Sequence, residues 1–265
     1  MTNIIADKSL GQHWLRDDGT LKAICREAQL TKTDTVFEIG PGLGTLTRHL
    51  ASQAGRVIAL EFDQRLYEQL QAHPIAPNVA IAQGDILTFD LTTLPAGYKV
   101  VANVPYYITN KIIRLLLESP NPPARATLLV QKEVAERIAS APGDMSMLAV
   151  LAQFYAAVTL GPVVPAKLFT PPPKVDSQVV TLTRRVEPLF PDVSPADFFR
   201  IVKAGFSEKR KKLRNSLSGG LQMSTMQTES LLRDAHIAAD ARAEELSLTD
   251  WQRLLIQFEK SKKSG

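Results

Sequence analysis

A single cysteine, Cys25, stands among 265 residues. No intrachain disulfide can form, which points to a reducing compartment and makes Cys25, near the start of a helical pattern, a small core residue. No apolar run approaches the ~18 residues that a membrane helix needs, and the opening MTNIIADKSLGQHWL has no apolar stretch of signal-peptide length. A soluble, cytoplasmic protein with no membrane partner is expected. The four histidines (His13, His49, His73, His236) are scattered along the chain, so no metal-ligand spacing appears and no metal is expected. A Walker phosphate loop, a serine nucleophile elbow, internal repeats and low-complexity tracts are also missing. The formal net charge is only +4, and such mild basicity does not by itself name a partner.

What is present is a long alternation of strand-like and helix-like segments, with 45% hydrophobic residues to build a core. Strands are expected at Thr35–Ile39, Arg56–Glu61, Val79–Ala82, Lys99–Val104 and Thr127–Val130. Helices are expected at Leu43–Ala54, Asp63–Gln71, Ile108–Glu118, after Val130 through Ile138, and at Ser146–Tyr155. Near-continuous apolar strands separated by helices predict a parallel sheet covered on both faces. Val179–Arg185 alternates and reads as a late strand at or near an edge. Val186–Pro195 holds three prolines and reads as a linker; beyond it the pattern is helical. Ser247-Leu248-Thr249-Asp250 resembles a capping box opening a last helix with Trp251, Leu254, Leu255 and Phe258 on its apolar side. The expected organisation is an α/β domain over residues 1–185 and a small all-helical domain over 186–265.

Glu38-Ile39-Gly40-Pro41-Gly42-Leu43-Gly44 follows the first of these strands and opens a helix. Glycines such as Gly40 and Gly42 let the backbone approach a ligand closely, and in open α/β sheets ligands sit beyond the carboxyl ends of strands. The next strand ends in Glu61, an acid placed to accept hydrogen bonds from ribose hydroxyls. Gly84-Asp85 follows the third, and Asp85 can accept from an exocyclic amine. Together these favour an adenosine-containing cofactor. They leave NAD and S-adenosylmethionine both open, although the G-x-G-x-G spacing leans against NAD.

The fourth strand ends in Asn103-Val104-Pro105-Tyr106-Tyr107. Asparagine and proline are ordinary turn residues, but here they border the same cleft. The Asn103 side-chain oxygen, and the carbonyl of Val104 or Pro105, can accept from an amino group. Tyr106 can stack on a base. Asn103, Pro105 and Tyr106 are therefore candidate catalytic residues that hold an adenine with its amino nitrogen presented. Two acceptors would localise that nitrogen's lone pair for in-line attack on a neighbouring methylsulfonium, which needs no strong base.

At this point the chain resembles a known family. Gln12-His13-Trp14-Leu15, EIGPGLGTLT, Gly84-Asp85, NVPY, Gln131-Lys132-Glu133-Val134-Ala135-Glu136-Arg137 and Phe169-Thr170-Pro171-Pro172-Pro173-Lys174-Val175-Asp176-Ser177 are similar to motifs of the ribosomal RNA adenine dimethyltransferases. The likeness runs from Lys8 to about Leu217. It implies a Rossmann-like S-adenosylmethionine-dependent methyltransferase sheet and S-adenosylmethionine as methyl donor. It also implies cofactor contacts from His13, Leu15, Gly40, Glu61, Asp85 and Asn103. His13 stands where the family often has Asn, Trp14 where it has Phe, and Val104 where it has Leu or Ile. Phe169 sits where the family has an aromatic that could cover the other face of the target base; a core aromatic beside prolines is the alternative.

FTPPPKVDS and RKKLRNSL (Arg210–Leu217) resemble the family's small-subunit branch. That branch implies dimethylation of two adjacent adenosines in a hairpin near the 3′ end of 16S rRNA, on 16S rRNA or the pre-30S subunit, late in assembly, by a monomer. Lys203–Arg214 holds six basic residues and one acid and is expected to be one helix, with Phe199, Val202, Phe206, Leu213 and Leu217 on its apolar side. Lys209, Arg210, Lys211, Lys212 and Arg214 would then contact phosphates. The alternatives are a large-subunit rRNA adenine methyltransferase of the antibiotic-resistance type, a non-catalytic assembly or transcription factor, and an NAD oxidoreductase.

Overall fold

The computed structural model describes residues 6–7, 10–208 and 211–263. In chain order the first elements are β1 (Trp14–Leu15), α1 (Asp18–Ala28), β2 (Thr35–Ile39), α2 (Thr45–Gln53), β3 (Arg56–Glu61), α3 (Gln64–Ala72), β4 (Val79–Gln83), β5 (Lys99–Asn103), α4 (Thr109–Glu118), β6 (Arg125–Gln131) and α5 (Lys132–Ile138). Then come α6 (Met147–Tyr155), β7 (Ala156–Val164), β8 (Phe169–Thr170), β9 (Ser177–Arg184), α7 (Pro195–Gly205), α8 (Leu213–Leu221), α9 (Thr225–Asp234) and α10 (Leu248–Lys263).

Seven strands form one sheet in the order β4-β3-β2-β5-β6-β9-β7. The first five are parallel, and β9 runs antiparallel to both neighbours. The parallel strands are apolar almost throughout because helices cover both faces: Val36, Phe37, Val57, Ala59, Val100, Val101, Leu128 and Leu129 are all fully buried. Chain order leads outward from β2 through β3 to β4 on one side and through β5 to β6 on the other. The crevice of a doubly wound sheet opens at such a reversal. β1 and β8 pair separately as a short antiparallel ribbon.

β9 lies one strand in from the edge; the edge itself is β7, which the sequence pattern did not suggest. β7 starts at Ala156 directly after the last residue of α6, with no turn between them. Gly161-Pro162 interrupts its alternation, and the pairing with β9 shifts register between Leu160 and Val163. A proline lacks the N–H of a ladder bond, so a bulged edge strand is where it can sit.

The chain groups into two compact units: residues 1–136 with 156–184, and residues 137–155 with 185–265. Against the division expected at 185/186, this grouping breaks at 184/185 and places Arg137–Tyr155 with the helical residues. The cause is aromatic packing. Phe154 on α6 packs among Phe190, Phe198 and Phe199 in edge-on and tilted contacts, with ring centroids 4.6 Å from Phe198 and 5.1 Å from Phe199. Trp251 of α10 is fully buried, and a Cβ on Gly205 would run into its ring, so only glycine fits there.

The expected single helix across Lys203–Arg214 is two helices. α7 stops at Gly205, where the Ser207 hydroxyl takes the Ala204 carbonyl at 2.8 Å; such local hydroxyl bonding competes with the helical ladder. α8 begins at Leu213, with Lys212 as its N-cap. The last helix opens as its sequence suggests, with Ser247 and Asp250 exchanging hydrogen bonds.

Candidate active site

The carboxyl ends of β2, β3, β4 and β5 border one cleft of about 350 Å³, and the arm Leu10–Trp14 forms another wall. Of the residues expected from sequence, His13, Gly40, Gly42, Glu61, Asp85, Asn103, Pro105 and Tyr106 all line it. Gly40 and Gly42 have φ of +70° and +57°, a left-handed backbone that glycine adopts without steric cost. This turn aims the Gly42 N–H at Glu61 Oε2, 2.9 Å away, while the Asp63 N–H reaches Glu61 Oε1 at 2.8 Å. Burial pushes the Glu61 carboxyl up, against these backbone donors, which hold it down. Each carboxylate oxygen keeps a further lone pair for a hydroxyl donor.

Asp63 caps α3 and is tied to the arm. Gln12 Nε2 donates to its carboxylate at 2.9 Å, and the Gln12 oxygen accepts the Asp7 N–H at 2.7 Å. The Arg65 guanidinium, 2.6 Å from Asp63, holds that carboxyl down at about 2.

Asn103 ends β5. Its Nδ2 donates to the His13 carbonyl at 3.1 Å, which fixes the amide orientation and leaves Oδ1 as an acceptor on the cleft. His13 in turn donates from Nδ1 to the Pro171 carbonyl at 2.8 Å. The Pro105 carbonyl already receives the Ile108 N–H at 3.3 Å and the Thr109 hydroxyl at 3.2 Å. The Val104 carbonyl therefore stands as the better second acceptor. The Tyr106 hydroxyl is 2.5 Å from Ser177 Oγ, and its ring stacks on His13 with centroids 5.8 Å apart. Burial raises the Tyr106 phenol, keeping it neutral.

Three of the expected residues are buried or paired. Leu15 is buried and lines a second cavity of about 40 Å³, not the main cleft; its carbonyl is taken by the Thr45 hydroxyl at 2.9 Å. Phe169 is 2% exposed and packs in the core with Leu15 and Val179, because β8 pairs with β1 and turns the ring inward; it is the core aromatic of the alternative reading. Arg214 is paired with Glu229 of α9 at 3.0 Å, so it is not a free cation. Lys211 is ion-paired with Glu208 at 2.7 Å and exposed, and Lys212 is exposed at the N-cap of α8. Lys209 and Arg210 lie outside the described residues.

Sequence reasoning gave no role to Phe62, Tyr107 and Lys111, which also line the cleft. Phe62 is 56% exposed. The available signal was a large apolar side chain directly after a strand's terminal acid, where core periodicity has ended. Glu38 is buried under the glycine loop, with Oε2 unpartnered among the described residues. Burial pushes its carboxyl up to about 8, with Glu61 adding to the rise and the Thr47 hydroxyl opposing it.

Residues 5–260 match the family described as Ribosomal RNA adenine dimethylase. A Dehalococcoides mccartyi protein named Ribosomal RNA small subunit methyltransferase A is 41% identical over 257 residues, spanning 96% of this chain and 88% of that relative. Among solved structures, a dimethyladenosine transferase from Plasmodium falciparum matches with a TM-score of 0.79 at 25% identity, over 94% of this chain and 98% of that one. The 23S rRNA methyltransferase ErmE matches with a TM-score of 0.72 at 31% identity, over 93% of this chain and 99% of that one.

Proposed function

The chain belongs to the ribosomal RNA adenine dimethylase family, and from that premise we propose that it dimethylates the N6 amino groups of two adjacent adenosines in a hairpin near the 3′ end of 16S rRNA, with S-adenosylmethionine as donor. It acts in the cytoplasm, as a monomer, on the pre-30S particle late in small-subunit assembly. Among the described residues no helix is long and apolar enough to cross a membrane.

The residues of the cleft fit the cofactor. Glu61, fixed by two backbone N–H groups, is suited to a pair of ribose hydroxyls, Asp85 to an exocyclic amine, and the open backbone at Gly40 and Gly42 to close approach, with His13 beside them. Bound S-adenosylmethionine supplies an electrophilic methyl group on a sulfonium. The observation that carries the reading is the pinned amide of Asn103. With Nδ2 committed to His13, Oδ1 and the Val104 carbonyl accept the two N–H bonds of an adenine amine and localise its lone pair. Tyr106, anchored through Ser177, offers its ring to the base. This is positioning and electrostatic preorganisation without a strong base. Once one transfer is complete and the methylated nitrogen has given one proton to water, an N–H and the lone pair remain, so the same site accepts the singly methylated base. In the helical unit, Lys209, Arg210, Lys211 and Lys212 contact phosphates.

Large-subunit specificity is not favoured: the relative named for the small subunit is 41% identical, against 31% for ErmE. A non-catalytic role would not require Glu61, Asp85 and NVPY together. The test is turnover with labelled methyl donor on unmethylated small-subunit RNA and particles, followed by mapping. Two adjacent N6,N6-dimethyladenosines are expected; a product that stops at monomethyladenosine, or label only in large-subunit RNA, overturns the reading.

A further inference from the structure

Tyr107 is 62% exposed on the rim of the cleft and contributes nothing to the core. Its ring leans on the backbone of Gly11, where a Cβ would come within 3.4 Å of it. Lys111 lies four residues further on, at the start of α4, and lines the same cleft. Tyr107 sits on the single 3-10 turn Tyr106–Ile108 that leads into α4, so ring and ammonium enter the same cleft from adjoining elements. Lys111 is exposed and has no ion pair among the described residues. Tyr106 differs: its hydroxyl is bound to Ser177 and one ring face is turned to His13, so it has room for one base only. A substrate with two adjacent target adenosines brings a second base to the rim whenever the first is seated.

We propose that Tyr107 and Lys111 seat the nucleotide beside the target, the ring stacking on that neighbouring base and the ammonium meeting the phosphate that links the two. The inference rests on the rRNA reading above and adds a residue that chooses how the adenosine pair is placed. The two adenosines then exchange positions between target pocket and seat. A dimethylated adenine, larger and more apolar, remains a good occupant of the seat while its neighbour is modified.

The test compares Tyr107→Ala, Tyr107→Leu, Tyr107→Phe and Lys111→Ala in the full chain. Cofactor affinity, RNA affinity, RNA KM against kcat, and methylation resolved at each adenosine are measured on unmethylated small-subunit RNA. Tyr107→Ala and Tyr107→Leu should weaken RNA binding and raise KM within the roughly 5- to 150-fold range of a missing base–aromatic stack, with cofactor affinity unchanged. Tyr107→Phe should behave as the parent. Lys111→Ala should flatten the log–log salt slope of RNA binding by roughly 0.7–0.9. RNA affinity unchanged in Tyr107→Ala, or Tyr107→Leu equal to Tyr107→Phe, overturns the seat. Failure of the rRNA reading shows separately, as an absence of dimethyladenosine with the unmutated chain, while RNA affinity still scores the seat.

Discussion

Replacing Asn103 by Ala removes two functions of one amide. Nδ2 holds the His13 carbonyl at 3.1 Å; losing that bond costs about 0.5–1.5 kcal/mol of stability and removes one of several ties on the arm that walls the cleft. Oδ1 is one of two acceptors offered to the target amine, and the Val104 carbonyl cannot localise the nitrogen lone pair alone. Loss of one preorganised hydrogen-bonding partner at an oxyanion hole costs ~2.7–4 kcal/mol, or about 100- to 1,000-fold in rate, and a loss of that order is expected here. Asn103→Asp separates the functions: an acceptor remains, but the donor to His13 is gone and an oxygen faces the His13 carbonyl. The assay is single-turnover methylation at saturating cofactor and RNA, scoring mono- and dimethyladenosine separately, with thermal unfolding alongside. Both variants should fold, and Asn103→Ala should lose far more rate than stability. A near-parental single-turnover rate for Asn103→Ala would refute the presentation argument and reduce Asn103 to a strand-ending turn residue.

Other expectations follow from the same geometry. Glu61→Ala deletes the charged acceptor set by Gly42 and Asp63, and calorimetric titration should show S-adenosylmethionine binding weaker by about 1.5–3 kcal/mol; unchanged affinity removes the ribose role. Glu38 has its carboxyl raised from 4.5 to about 8, so between those values the folded chain holds a proton that the unfolded chain has released. Stability from this group is complete below the unfolded value and falls by about 1.4 kcal/mol per pH unit as pH rises through the window. Glu38→Gln should abolish that slope in denaturant titrations, and an unchanged slope would mean the carboxyl is ionised in the fold. Replacing Lys209, Arg210, Lys211 and Lys212 together by Ala should flatten the salt dependence of RNA binding by roughly 0.7–0.9 for each phosphate no longer neutralised. Cofactor affinity should stay intact; an unaltered slope returns the segment to a solvated surface.

The cleft was legible because each part of it is contiguous in sequence. A strand, then a glycine turn, an acid or NVPY, is a local pattern, and the parallel sheet gathers such ends at one side. What was not legible depends on tertiary partners. Nothing near Phe169 tells whether its ring faces a cleft or a core; pairing of β8 with β1 decides that. Arg214 reads as one of a run of free cations until Glu229 from another helix meets it. The break after Gly205 depends on a serine hydroxyl turning back on its own helix. β7 was hidden by a glycine and a proline that signal a loop wherever no sheet edge is there to receive them.

The grouping of Arg137–Tyr155 with residues 185–265 bears on how this protein can be engineered. A stop codon at residue 186 would not liberate a free-standing methyltransferase module. It would delete Phe190, Phe198 and Phe199, leaving Phe154 with only Tyr155 of its aromatic partners on a largely apolar helix, a recipe for aggregation. A chimera that exchanges the helical unit between family members must transplant two separate segments together, and recombination that moves only the tail breaks a shared aromatic cluster.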